Sequence, residues 1–110
     1  EISGVDLADD MPDDTFEEVR LALFTYGAIG FRNQRMNFED HRRFAERFGS
    51  LEVHPIVNGM EQYPEIIRIH KPAGTAASFG VGWHSDNSFF EQPSLGSIVH
   101  AHIVPPHGGD

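Results

Sequence analysis

The 110-residue chain has no cysteine, which excludes both a disulfide scaffold and thiolate ligands for a metal. It has no apolar run near the roughly 20 residues that span a bilayer, and its start shows no signal-peptide pattern. Basic residues are scarce, because 8 Lys and Arg stand against 17 Asp and Glu, for a formal net charge of -9. We therefore expect no nucleic-acid partner, no membrane partner and a cytoplasmic location.

Several catalytic motifs are missing as well. No serine lies in a Gly-x-Ser-x-Gly elbow, which together with the lack of cysteine leaves nucleophilic catalysis with little support. No glycine-rich phosphate loop is present, and no pair of carboxylates stands out for hydrolysis. The composition is that of an ordinary globular chain, with 39% hydrophobic and 23% charged residues, and its length suits one small domain.

Two amphipathic helices are predicted in the first half. Thr15 and Glu18 form a capping-box pattern for the first helix, and Gly27 is its stop signal. Asn37 is the predicted N-cap of the second helix, and Gly49 its end. The residues that form the predicted inner faces are Phe16, Val19, Leu23 and Tyr26 in the first helix and Phe38, His41, Ala45 and Phe48 in the second, with Phe44 also assigned to the core or its edge.

Alternating or short apolar runs predict strands, and Gly- and Pro-containing segments predict loops. The predicted strands are residues 2–7, 28–31, 65–70 and 97–104, and the predicted loops are 50–64 and 71–82, the second one mobile. The predicted helices lie in the first half of the chain and the last two predicted strands in the second half, without βαβ alternation. This order indicates an α+β or mainly β fold. Because the chain starts at Glu1 and stops within Gly108-Gly109-Asp110, we expect it to be cut from a longer protein.

The most informative segment is residues 83–91, which reads WHSDNSFFE. His84 and Asp86 are two apart, so on an extended backbone their side chains leave the same face. An imidazole and a carboxylate are two thirds of the facial triad that holds non-heme Fe(II) with open positions. Chance alone gives a His-x-Asp triplet on the order of 0.5 times at this composition, so mutual hydrogen bonding on a strand is the leading alternative. The spacing by itself does not decide between them.

Other histidines offer weaker candidates. His100 and His102 also alternate onto one face of a predicted strand, where a solvated or hydrogen-bonded role is favoured over metal binding. His54 precedes Pro55 in a loop, and a lone loop histidine is usually just exposed.

Several motifs in order and spacing together resemble the taurine dioxygenase family, which also contains phenoxyacetate-herbicide and alkyl-sulfate dioxygenases. The motifs are Ile2-Ser3-Gly4-Val5-Asp6-Leu7, Phe31-Arg32-Asn33-Gln34, Phe44-Ala45-x-Arg47-Phe48-Gly49, His54-Pro55, Trp83 with the His-x-Asp triplet, Phe89, Glu91-x-Pro93 and Val104-Pro105-Pro106-x-Gly108-Gly109-Asp110. The resemblance covers nearly the whole chain. It implies a double-stranded β-helix, or jelly roll, with N-terminal helices packed outside. Residues 1–110 would then be the N-terminal part of a single dioxygenase domain, here incomplete.

The resemblance implies Fe(II) as cofactor and 2-oxoglutarate and O2 as co-substrates. It also implies that His84 and Asp86 are two metal ligands and that His54 contacts the anionic group of the substrate. Asn87 is a further predicted substrate-binding residue. The distal histidine ligand and the arginine that pairs with 2-oxoglutarate are expected beyond this chain. The implied reaction hydroxylates a small organic anion (a sulfonate, alkyl sulfate or aryloxy acid) next to its heteroatom, and the full-length protein could be a homo-oligomer.

The chain departs from the taurine enzyme at three positions of its pocket. Val57 replaces a Tyr, Gly80 an Asn, and Asn87 a Val, so taurine itself is not favoured as substrate. The alternative function is a non-catalytic jelly-roll module that binds a small molecule and has lost the metal.

Overall fold

The computed structural model describes residues 1–75 and 82–107 of the chain. By their contacts the residues form two compact units, Glu1–Leu51 and Glu52–Asp110. The first unit contains two helices, α1 (Asp13–Tyr26) and α2 (Phe38–Glu46). No helix in the described ranges is long and apolar enough to cross a membrane.

Helix α1 starts earlier than predicted. Its N-cap is Pro12, whose ring restricts φ, here -55°, and which has no side-chain group that could cap the helix. The predicted capping box of Thr15 and Glu18 is wrong, since Thr15 lies inside the helix and its N–H donates to Asp14 Oδ1 at 2.7 Å. The predicted stop at Gly27 is confirmed, because this residue is left-handed (φ 74°) and its N–H closes the last turn.

Helix α2 is capped by Asn37, as predicted. The Asn37 side-chain oxygen accepts the N–H of Asp40 at 2.9 Å, and an Asp40 carboxylate oxygen accepts the N–H of Asn37 at 3.0 Å. This reciprocal capping box satisfies two backbone donors at the start of the helix. The helix ends at Glu46 rather than at the predicted Gly49, and residues 47–49 continue as a hydrogen-bonded turn.

An aromatic cluster joins the two helices in a small core. The buried core residues are Leu7, Phe16, Val19, Met36 and Phe44. The Phe44 ring meets those of Phe16, Phe31 and Phe48 edge to face, with centroids 6.4, 6.0 and 5.5 Å away. The predicted core positions of Phe44 and Phe48 are confirmed. Tyr26 is instead 77% exposed, because it lies about two turns beyond Val19, the last α1 residue in the core.

We expect Phe44→Ala to remove most of the helical signal of the 110-residue chain in far-UV circular dichroism. Truncating a buried phenylalanine costs about 3–5 kcal/mol, and a unit this small has little stability to lose. Phe24→Ala is the matched control, since Phe24 is also a helical phenylalanine, on α1, but is 54% exposed. Equal losses in both variants would mean that the aromatic cluster does not hold the helices.

The first two predicted strands meet at only one point, a parallel bridge between Ile2 and Phe31. The Ile2 N–H donates to the Gly30 carbonyl at 2.9 Å. Beyond that bridge the side chain of Gln34 takes the place of a partner strand, because its amide accepts the N–H of Leu7 at 2.8 Å and donates to the Val5 carbonyl at 3.2 Å. Strands 2–7 and 28–31 are therefore wrong as predicted, apart from this bridge.

The two later predicted strands, 65–70 and 97–104, are also wrong for the residues described. Ile66 is bonded locally, since its N–H donates to Tyr63 and its carbonyl accepts from Met60, both at 2.9 Å. In the segment 97–104, Val99 and Ile103 are 89% and 86% exposed. Apolar alternation specifies the faces of a strand but does not supply its hydrogen-bonding partner. Within residues 1–75 and 82–107 the structure contains two helices and one isolated β-bridge, and no sheet.

Candidate metal centre

His84 and Asp86 lie side by side in the second unit. The structure puts His84 Nε2 3.1 Å from Asp86 Oδ1. The segment leads into a turn at Asp86 rather than running along a strand, and Asn87 within that turn is left-handed, with φ 53°. Both side chains are more than half exposed, so solvent and ligands reach the pair. The two residues singled out by their spacing are thus brought together, although by a turn.

The contacts of His84 fix which nitrogen carries the proton. Its Nδ1 lies 2.9 Å from the carbonyl oxygen of Gly82. A carbonyl oxygen only accepts hydrogen bonds, so this contact requires a proton on Nδ1. The Nε2 lone pair then faces Asp86 Oδ1, which is also an acceptor when the carboxylate is ionised. Two acceptors this close can share a second ring proton in a hydrogen bond, or they can be neighbouring ligands of one metal ion that lies to the side of both.

The geometry of the pair fits a metal ion. Two ligands about 2.1 Å from a first-row metal and at right angles to each other are about 3.0 Å apart. The observed 3.1 Å between His84 Nε2 and Asp86 Oδ1 is close to that separation, and it is also the length of an ordinary hydrogen bond, the alternative raised by the sequence. The Gly82 carbonyl also does what outer-sphere partners of metal-binding histidines usually do, because it orients the ring and leaves the other nitrogen free to bind. Fe(II) is therefore compatible with these two donors.

A third ligand is not found near this pair. Among residues 1–75 and 82–107, no three His, Cys, Asp or Glu side chains come together in a group that could hold a metal. The described part of the chain therefore supplies at most two protein ligands to a common ion.

A hydrogen-bond chain anchors the turn that carries Asp86. The Asn87 side-chain nitrogen donates to Ser94 Oγ at 3.1 Å, and Ser94 in turn donates to the Glu52 carboxylate. The carbonyl of Asn87 accepts the N–H of Phe90 at 3.1 Å. Asn87, which was predicted to bind substrate, thus holds the turn through its side-chain nitrogen. Ser94 and Glu52 were missed from the sequence, because their link spans 42 residues and has no local signal.

His54 lies close to the same turn. Its Nδ1 accepts the backbone N–H groups of Ile56 at 3.1 Å and Val57 at 3.0 Å, so the ring proton resides on Nε2 when the ring is neutral. Its ring meets the ring of Phe89 edge to face, with centroids 6.2 Å apart. In this tautomer the Nε2–H group is a hydrogen-bond donor. An anionic oxygen would accept a hydrogen bond from it. The prediction that His54 binds the substrate remains a prediction.

The rival histidine pair is also brought together. The rings of His100 and His102 have centroids 4.4 Å apart and planes inclined by 51°. This proximity agrees with their predicted position on one face, although no strand forms there. Since no acidic or histidine side chain of the described ranges joins them in a group of three, the pair has no more support as a metal site than His84 and Asp86.

Comparison with known proteins identifies the class. A family model described as taurine catabolism dioxygenase TauD, TfdA family matches residues 1–110, the full length of the chain. The chain belongs to this family. The predicted resemblance is thereby confirmed. No solved structure matches the chain with significance.

The chain is similar to several curated proteins along its whole length. An alkylsulfatase of Acinetobacter baylyi is 31% identical over 100% of this chain and 34% of its own length. An (S)-phenoxypropionate/alpha-ketoglutarate-dioxygenase of Sphingobium herbicidovorans is 26% identical over 98% of this chain and 38% of its own. An alpha-ketoglutarate-dependent sulfonate dioxygenase of Saccharomyces cerevisiae is 30% identical over 100% of this chain and 29% of its own length. The chain thus spans about a third of the length of these relatives.

Proposed function

We propose that this chain is part of an Fe(II)- and 2-oxoglutarate-dependent dioxygenase that hydroxylates a small organic anion next to its heteroatom. The observation that carries the proposal is the pairing of His84 Nε2 with Asp86 Oδ1 at a separation suited to a shared metal ion. The 110 residues would be the N-terminal part of one jelly-roll domain. The lengths of the relatives support this, since the chain covers only 29–38% of them.

In this proposal each residue has a limited task. His84 would bind through Nε2 while the Gly82 carbonyl holds the Nδ1 proton, and Asp86 would bind through Oδ1 and balance part of the ion's charge. When bound, Fe(II) would activate O2 for hydroxylation of a C–H bond, with 2-oxoglutarate as the reducing co-substrate that is converted to succinate and CO2. His54 would donate from Nε2 to the anionic group of the substrate and so fix its orientation. The protein's own contribution is thus ligation and positioning.

The proposed substrate is larger or more apolar than taurine. The half-buried Val57 offers no side-chain hydrogen bond where the taurine enzyme has a Tyr. Gly80, the second departure, lies outside the described residues. A pocket without polar partners discriminates poorly for a small zwitterion and accommodates bulk. The relatives include an alkylsulfatase and a phenoxypropionate dioxygenase, which supports an alkyl sulfate or aryloxy acid as substrate.

We expect the full-length protein to release succinate from 2-oxoglutarate fastest with an alkyl sulfate, an aryloxy acid or a long-chain sulfonate. The experiment compares kcat/KM for such acids with that for taurine, with Fe(II) added and with Fe(II) removed by a chelator as the control. Taurine giving the highest kcat/KM would contradict the substrate assignment alone. Binding of these acids without any iron-dependent succinate release would favour the non-catalytic binding module.

A further inference from the structure

The Asp86 carboxylate has different partners at its two oxygens. Oδ1 faces His84 Nε2 at 3.1 Å, while Oδ2 accepts a hydrogen bond from the hydroxyl of Ser97 at 3.2 Å. Ser97 is 11 residues further along the chain, so this bond is not a local turn contact. The hydroxyl therefore contacts the other carboxylate oxygen from the one that lies beside His84.

We propose that Ser97 is a positioning residue that keeps Asp86 a monodentate metal ligand through Oδ1. The inference rests on the proposed function and adds a residue to it. A carboxylate can bind a metal through one oxygen or through both. The Ser97 hydrogen bond engages one lone pair of Oδ2 and so favours Oδ1, which lies beside His84, as the oxygen that binds the ion.

Monodentate binding of Asp86 affects how many coordination positions of the metal ion stay open. A six-coordinate ion held by two histidines and one carboxylate oxygen keeps three positions for 2-oxoglutarate and O2. A bidentate carboxylate would take one of these three. The Ser97 hydroxyl would also restrict rotation of the carboxylate, so that the Asp86 side chain loses less conformational entropy when the metal binds. Removal of such outer-sphere partners typically weakens metal affinity by about 10–100-fold.

The test measures binding of Co(II) alone to the full-length protein by visible absorption, without substrate or 2-oxoglutarate. We expect Ser97→Ala to raise the Kd for Co(II) by about 10–100-fold and to change the intensity of the visible bands, because the carboxylate is free to bind through both oxygens. Ser97→Thr and Ser97→Val form an isosteric pair, of which only the first retains the hydroxyl. Threonine should restore near-wild-type affinity and spectrum, and valine should behave like alanine.

Ser88→Ala is the matched control, because the Ser88 hydroxyl belongs to the same turn but contacts the Ser85 carbonyl instead of a ligand. Its Kd for Co(II) should stay within about twofold of the wild type. Wild-type affinity and spectrum in both Ser97→Ala and Ser97→Val would overturn the positioning role and leave the proposed function intact. A wild-type protein that binds no Co(II) at all would instead overturn the proposed function, and the role of Ser97 with it.

Discussion

Asp86→Ala is expected to abolish 2-oxoglutarate decarboxylation by the full-length protein and to lower its Fe(II) stoichiometry from one to near zero. The substitution removes a metal ligand together with the negative charge that helps to balance the ion. It also leaves the Ser97 hydroxyl and the His84 ring without the group they contact. The measurements are succinate release and anaerobic Fe(II) titration. His84→Ala should give the same result, because Nε2 is the second donor of the pair.

His100→Ala is the matched control for this prediction. The His100 and His102 rings also lie close together, with centroids 4.4 Å apart, so the structure offers a second pair of imidazoles. We expect His100→Ala to retain one bound Fe(II) and most of the activity. If it abolishes Fe(II) binding while Asp86→Ala retains it, the metal belongs to the histidine pair and the assignment of His84 and Asp86 is wrong.

The features that the sequence predicted correctly depend on neighbouring residues. Gly27 ends α1 because a left-handed residue is cheapest as glycine, and Asn37 caps α2 through a contact only three residues away. The capping box at Thr15 failed because Pro12 offered an earlier start. Competing local signals of this kind cannot be ranked by pattern alone.

The features that failed depend on distant partners. Segment 97–104 has the alternation of a strand, but among the described residues it pairs with no other strand. The candidate site shows the same division. The spacing of His84 and Asp86 predicted that their side chains lie on one face. The contacts of the Gly82 carbonyl and the Ser97 hydroxyl could not be predicted, because one is a backbone group and the other lies 11 residues from Asp86.

The exposed apolar residues of segment 97–104 predict how the isolated chain behaves. Val99 and Ile103 are 89% and 86% exposed, and Val104 is 75% exposed. Three exposed apolar side chains within six residues favour association. We expect the isolated 110 residues to bind a hydrophobic dye and to aggregate. Replacing both Val99 and Ile103 by lysine should reduce dye binding, whereas Tyr26→Lys, at an exposed ring of α1 outside this segment, should not.

The isolated 110 residues are also expected to show no turnover and no cooperative thermal transition. Among the described residues the buried core consists of five side chains, all within the first unit, and so small a core cannot make the whole chain unfold in one cooperative step. His84 and Asp86 without a third protein ligand among the described residues cannot hold Fe(II) and 2-oxoglutarate in reactive geometry. Calorimetry and a decarboxylation assay on the purified chain provide the measurements, with the full-length protein as control. A sharp two-state melt accompanied by 2-oxoglutarate consumption would show that these residues form a complete and functional domain.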